Sequence, residues 1–223
     1  MSDLAPLWLS FRLAGVTVLL LMLLGTPLAW WLARTRSRLR PAVEAITALP
    51  LVLPPTVMGF YLLIAFSPQS GFGAAWQSVF GAPLSFSFTG LVIASCLYSL
   101  PFAVQPLQAA FEAVGRAPMD AAATLRAGPL DAFFTVASPL ALRGYITAIV
   151  LAFAHTVGEF GVVLMVGGNL EGETRVISIA LYERVELMDY AGAHRLSLIL
   201  LLFSMVVLIA VYVAGRRFPV RAA

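Results

Sequence analysis

The sequence predicts an all-α integral membrane protein with about five transmembrane helices, and three observations carry that prediction. Of 223 residues, 61% are hydrophobic and only 11% are charged, with a mean hydropathy of +0.93. A soluble domain carries roughly 25% charged residues, so a water-facing fold is excluded. Uncharged runs of 20 residues or more recur along the chain, and roughly 20 residues cross a hydrocarbon core. One run, from Ala45 to Phe111, holds 67 residues without a charge, too many for a single helix at about 1.5 Å per residue.

The first crossing is placed at 9–33, built on the 21 uncharged residues Leu13 to Ala33 between Arg12 and Arg34. It does not read as a cleaved leader, because Asp3 precedes it without a basic cluster and it runs through Trp30 and Trp31 into four arginines. The long run divides at the turn-rich stretches 67–71 and 81–83, giving spans at 45–66 and 86–108. A fourth span is placed at 142–165 and a fifth at 196–215, with a loop at 112–140 between the third and fourth. Residues 1–223 are read as a single transmembrane domain, and hydropathy leaves a short or broken sixth crossing open.

All 14 basic residues are arginine. With the N-terminus outside and the C-terminus in the cytoplasm, ten lie on the inner side: Arg34, Arg36, Arg38, Arg40, Arg116, Arg126, Arg143, Arg216, Arg217 and Arg221. Four lie outside, namely Arg12, Arg175, Arg184 and Arg195. That asymmetry satisfies the positive-inside rule, and the reverse topology violates it. The net charge of +3 therefore reports orientation against anionic lipid rather than a nucleic-acid partner.

The same inventory removes several chemistries. Without lysine the chain builds neither a P-loop nor a Schiff base, so ATP, if used, binds another chain. Cys96 is the single cysteine, which excludes an internal disulfide and a CxxC zinc site. His155 with a serine is the one conceivable hydrolytic pair, and it lacks both an orienting carboxylate triad and an HExxH metal motif. No catalytic or metal-ligating residue is therefore assigned. No internal repeat is visible, which weighs against a single-chain carrier of inverted halves. Five crossings are few for a complete pathway, so a two-fold dimer with the conduit at its interface is the natural closure.

The loop at 112–140 is the most informative segment. Asp120 to Arg126 is a run of good helix formers, followed by Ala127, Gly128 and Pro129 and an aromatic and β-branched stretch ending at Pro139. This predicts two short helices on the membrane surface, with Gly128 supplying a positive-φ turn and Pro129 starting the second helix. An interfacial amphipathic loop and a small-residue face that admits another protein both fit the pattern. On the opposite side, Gly167, Gly168 and Asn169 form a turn, and Ile177, Leu181, Val185 and Met188 recur at helical spacing. Ser178, Tyr182, Glu183 and Glu186 fall on the other face, predicting a surface helix suited to docking or to interfacial packing.

The run from Asp120 to Pro139 resembles the cytoplasmic Glu-Ala-Ala loop of ABC-importer permeases, with Asp120, Ala121, Ala122, Val136 and Pro139 at matching spacings. Asp120 replaces the glutamate, Arg126 stands where that family has glycine, and Ser138 replaces leucine. The segments Leu49–Phe60, Thr156–Gly161 and Gly172–Arg175 resemble the permease subunits of molybdate importers, and with the loop the resemblance covers residues 10 to 215. It implies a type I ABC importer permease fold, a homodimer in a bacterial or archaeal cell (inner) membrane. It also implies two cytoplasmic ATPase subunits that bind ATP and Mg, and an extracytoplasmic binding protein delivering molybdate or tungstate. The permease itself would bind no cofactor. Asp120, Ala121, Ala122, Arg126, Gly128 and Pro139 would form the coupling site. Sulfate permeases share much of this pattern, so sulfate or another oxyanion is the alternative cargo, and an ATP-independent channel or carrier is the rival class.

Candidate pathway residues follow from their own chemistry. Pro54 and Pro55 remove two amide donors and predict a break in the second span. The helix restarting there would aim the amides of Thr56, Val57 and Met58 toward the inner side, where such an end attracts anions. A packing kink eased by Gly59 is the other reading of the same residues. His155 and Glu159, four apart, are predicted to share one helical face. A bare carboxylate repels a passing dianion, so Glu159 is expected to hold a structural bond to His155 or nearby backbone at a gate.

Overall fold

The computed structural model describes residues 4–217; Asp3 and Arg221, used above to read the N-terminus and the topology, lie outside the described residues. In chain order the helices are α1 (Leu4–Arg34), α2 (Arg40–Val52), α3 (Pro55–Phe66), α4 (Gly71–Phe80), α5 (Phe88–Val114), α6 (Ala117–Thr124) and α7 (Pro129–Ala132). A π-helical turn, Phe133–Ala137, leads into α8 (Ser138–Leu140), α9 (Leu142–Gly158), α10 (Gly161–Gly167), α11 (Ile177–Glu186) and α12 (Tyr190–Arg217). Three helices, α1, α5 and α12, are long and apolar enough to cross a membrane unaided. Two bent pairs bring the total to as many as five if each is one span: α2 with α3, deflected by 111°, and Pro129–Leu140 with α9, deflected by 71°.

The predicted boundaries shift for identifiable reasons. The second span starts at Arg40 rather than 45, because Pro41 occupies the first turn and Arg40 pairs with Glu44 one turn on, Nε to Oε1 at 2.8 Å. The third runs past 108 to Val114, where Glu112 receives the Arg40 Nη2 at 2.6 Å and ties α5 to α2. The stretch read as a turn-rich connection contains α4, capped by the Ser70 hydroxyl accepting from the Gly73 amide at 2.8 Å and closed by Gly81 at φ 74°. The span at 142–165 is interrupted: α9 ends at Gly158, Glu159 is extended at φ −67°, ψ 136°, and α10 begins at Gly161.

α1, α5 and α9 pack on one another to form the centre of the bundle. At one end Leu9, Leu13, Leu91, Val92, Val163 and Ile179 are buried together. At the other, Leu32, Val104, Leu107 and Phe111 are buried, with Trp30, Phe133 and Tyr145 against them. α3 and α10 lie together on α5, and α12 touches α9 and α11 at the periphery. Only 11% of the most apolar stretch of α12 is buried, which suits a helix whose remaining surface is solvated by lipid.

Candidate functional site

Two helix breaks meet. The α2–α3 break at Leu53–Pro54 and the α9–α10 break at Glu159–Phe160 lie side by side, because a glycine on each of the two crossing helices, α3 and α10, lets the backbones approach. A β-carbon on Gly161 would stand 2.7 Å from the Pro55 Cβ, and one on Gly59 would stand 2.8 Å from the Met165 Cβ. Between the breaks is a cavity of about 420 Å³ whose walls include Pro55, Thr56, Tyr98, His155, Glu159 and Phe160. Interrupted backbone at membrane depth is tolerated where it is buried in protein or lines such a cavity.

Of the six residues singled out as pathway candidates, the cavity gathers Pro55, Thr56, His155 and Glu159. Pro54 instead caps α3, its carbonyl accepting from the amides of Val57 at 3.0 Å and Met58 at 3.2 Å. Two of the three amides expected to be open toward the inner side are thus already used, and Thr56 alone lacks a backbone acceptor among the described residues. Gly59 is buried behind the cavity at the α3–α10 contact.

The predicted pairing of His155 with Glu159 is not what forms. His155 Nδ1 lies 2.9 Å from the Ser99 hydroxyl, which is also 3.0 Å from the Thr156 hydroxyl, and its ring stacks on Phe102 at 4.0 Å. The helix ends between the two residues, so the i, i+4 relationship that would align them is lost. Glu159 is 4% exposed, and neither carboxylate oxygen has a hydrogen-bond partner among the described residues. Neither expected bond of the side chain is therefore made; the bond at this residue is to its main chain, where the Ser178 hydroxyl donates to the Glu159 carbonyl at 2.5 Å. Sequence reasoning passed over Ser99, although Ser95 and Ser99 stand one turn apart in an apolar helix, the small-polar spacing that marks an interhelical seam.

The elbow at the far end of the bundle is two short helices, as predicted, but its turn is built differently. The Ala127 amide reaches back to the Ala122 carbonyl at 3.1 Å and the Arg126 amide to the Ala123 carbonyl at 3.0 Å, the paired bonds of a Schellman motif. The left-handed residue of that motif is Arg126, at φ 63°. Gly128, expected to make the turn, is extended at φ −69°, ψ 165° and precedes α7, which Pro129 opens. The position where the resembling family carries glycine therefore keeps a glycine's conformation with an arginine in place.

The coupling candidates distribute over three surfaces. Ala121, Ala122 and Arg126 line a concavity with Leu125, Asp131 and Thr135. Ala122 itself is buried beneath it, so it supports the elbow rather than offering a contact. Asp120 is exposed in a polar pocket with Arg34, Arg40, Glu112 and Arg116. Pro139 lies on the other side, in a groove shared with Pro27 and Trp30 of α1. The exposed apolar cap is Leu125, at 83% exposure, with Leu130 and Phe134, none of which the motif singled out. Phe133 anchors the elbow to the bundle, its ring 5.0 Å from Trp30 and 5.9 Å from Phe111.

At the opposite end, the loop after α10 is closed by Thr174, whose buried hydroxyl donates to the Gly167 carbonyl at 2.7 Å. Arg175 holds Asn169 Oδ1 at 2.6 Å and Glu183 Oε1 at 3.3 Å, fixing that loop to α11. The predicted surface helix is present as α11, but Ile177 and Ser178 are both buried, because its first turn plugs into the bundle.

A multi-pass helical membrane protein with paired broken helices and an exposed elbow belongs to a recognisable class. Residues 25–219 match the family model of binding-protein-dependent transport system inner membrane components, and the chain belongs to that family. It is 57% identical to the molybdenum transport system permease protein ModB of Azotobacter vinelandii over 216 residues, 97% of this chain and 95% of that one. With ModB of Escherichia coli K12 it shares 36% identity over 90% of this chain and 88% of the relative. A crystal structure of a bacterial ABC transporter that imports alginate superposes with a TM-score of 0.76 at 18% identity, covering 98% of this chain and 80% of that one, which establishes the common fold.

Proposed function

We propose that this chain is the permease subunit of an ABC importer for molybdate, with tungstate as the closest chemical alternative. Two copies form the pathway in a bacterial or archaeal cell (inner) membrane, N-terminus outside, each copy being one permease domain. ATP and Mg bind two separate cytoplasmic ATPase subunits, and an extracytoplasmic binding protein delivers the oxyanion. The relationship to ModB proteins supports the cargo, and the arginine asymmetry supports the orientation.

The observation that carries the mechanism is the anchored elbow. Leu125 and Ala121 face outward on a short helix whose neighbour, Phe133, is wedged between Trp30 of α1 and Phe111 of α5. An ATPase seated on Leu125 would move α1 and α5 as rigid bodies, and with them the walls of the cavity between the two breaks. Pro55, Thr56, His155 and Glu159 then act as half of a gate that the second copy completes. Ala122 and the Arg126 turn set the elbow's shape, Asp120 and Gly128 flank it, and Pro139 rides on α1.

The test is uptake by proteoliposomes holding the assembled complex, with sulfate as competitor. Ala121→Glu is expected to leave the complex assembled while hydrolysis no longer drives molybdate uptake. Normal coupled uptake in that variant, or uptake without the ATPase, would overturn the reading.

A further inference from the structure

The first turn of α11 is held by two buried hydroxyl bonds that no helix of its own supplies. The Ile177 amide, one of the donors left open at a helix start, donates to the Ser10 hydroxyl of α1 at 2.8 Å. That hydroxyl in turn donates to the Pro6 carbonyl at 2.9 Å, so both its roles are used. One residue on, the Ser178 hydroxyl donates to the Glu159 carbonyl. The helix interruption leaves that carbonyl outside both ladders: α10's first bond runs from the Leu164 amide to Phe160 at 2.9 Å. Ser178 is 8% exposed and Glu159 4%, so the bond is made inside the protein, where leaving the carbonyl without a donor is costly.

Beyond its first turn α11 packs on α12 along one side, while its other side and the turn that follows it are open. Tyr182, Val185, Leu187 and Met188 are exposed, and Tyr182 also lies 5.0 Å from Phe160, the residue after Glu159. A helix gripped at its buried first turn and open on one side beyond it is a lever on the α9–α10 break. We propose that Ser178 is a positioning residue that transmits docking of the extracytoplasmic binding protein on α11 to the backbone of the gate at Glu159. The proposal rests on the importer reading above and adds to it the path by which an occupied binding protein is sensed.

The experiment compares ATP hydrolysis by the whole reconstituted complex with and without saturating, molybdate-loaded binding protein. Ser178→Ala is expected to assemble and keep its basal rate while losing stimulation by about fivefold or more, the lower end of typical coupling between sites. Ser178→Thr, which restores the donor, is expected to recover it. Equal stimulation of Ser178→Ala and wild type overturns the proposal, and so does a parallel loss of basal and stimulated rates, the mark of a purely structural role. Independently of any substitution, hydrogen exchange in the wild-type complex should change at residues 160–163 together with α11 when binding protein is added. A change confined to α11 overturns the proposal. A wild-type complex indifferent to its binding protein would fail the importer reading itself, a result seen before any variant is made, and the proposal with it.

Discussion

Gly161 of α10 lies against Pro55 of α3 so closely that a β-carbon would stand 2.7 Å from the proline's own. Each residue sits at the first turn of a helix that restarts after a break, so one contact registers the two interrupted spans against each other. Gly161→Ala must separate them. Overpacking of this kind costs about 1–3 kcal/mol, and we expect a lower thermal midpoint together with reduced uptake, read by thermal unfolding and flux on the same preparation. An unchanged midpoint would mean that the contact yields without cost.

Arg126 pays for its left-handed backbone. A residue with a side chain at that φ costs about 1–2 kcal/mol relative to right-handed backbone, and glycine does not. Arg126→Gly is expected to raise the thermal midpoint and preserve coupled uptake, because the Schellman bonds from the Ala127 and Arg126 amides stay in place. A loss of coupling with a raised midpoint would assign the guanidinium a contact with the ATPase.

Ser99 bridges His155 and Thr156 across the α5–α9 seam. Ser99→Ala leaves the imidazole nitrogen without that partner, and an unsatisfied buried polar group costs about 1–3 kcal/mol. Thr156 loses less, since its hydroxyl also donates to the Ala152 carbonyl at 2.9 Å. We expect reduced stability with α5 and α9 still associated, measurable as a fall in thermal midpoint that His155→Phe partly offsets by keeping the stack on Phe102.

Asp189 starts α12. Its Oδ1 accepts from the Gly192 amide at 2.9 Å and its Oδ2 from the Arg184 Nη1 at 2.6 Å. The Gly192 amide first, and the Arg184 guanidinium second, hold its carboxyl below the usual aspartate range. A carboxyl depressed in the folded state contributes stability above its unfolded value, about pH 3.9, and loses it as pH falls through the lower folded value. The stability gap between wild type and Asp189→Asn is therefore expected to be constant from pH 7 to about 5 and to close in more acidic buffer. A gap that widened on acidification would refute the cap.

Ala122 and Ala121 are neighbours in the loop motif with opposite exposures. Ala122→Glu buries a charge under the elbow and is expected to impair assembly, whereas Ala121→Glu affects coupling alone. Quantifying intact complex by size exclusion separates the two.

The crossings were legible because uncharged length is a local property, and the first break was legible because Pro54 and Pro55 announce it. The second break was not. Nothing in His155–Gly161 removes a donor, and the interruption is made by tertiary partners, Pro55 against Gly161 and the Ser178 hydroxyl on the freed carbonyl. The elbow's turn was misassigned for a related reason. Gly128 is the better left-handed residue by itself, but the bonds from residues 126 and 127 back to α6 decide which position turns. The loop motif located the elbow and missed Leu125, Leu130 and Phe134, since exposure belongs to the packed bundle rather than to the spacing.

α12 meets protein at α9 and α11 and touches α1 where Phe203 lies 5.4 Å from Phe11, and only 11% of its most apolar stretch is buried. A helix so placed adjusts its tilt to the thickness of the hydrocarbon around it, at a cost of fractions of a kcal/mol per Å of mismatch. Its first residues continue directly from the Arg184–Asp189 junction at the end of α11. The composition of the host bilayer thus gains a mechanical handle on the same helix that a delivering protein would press from outside.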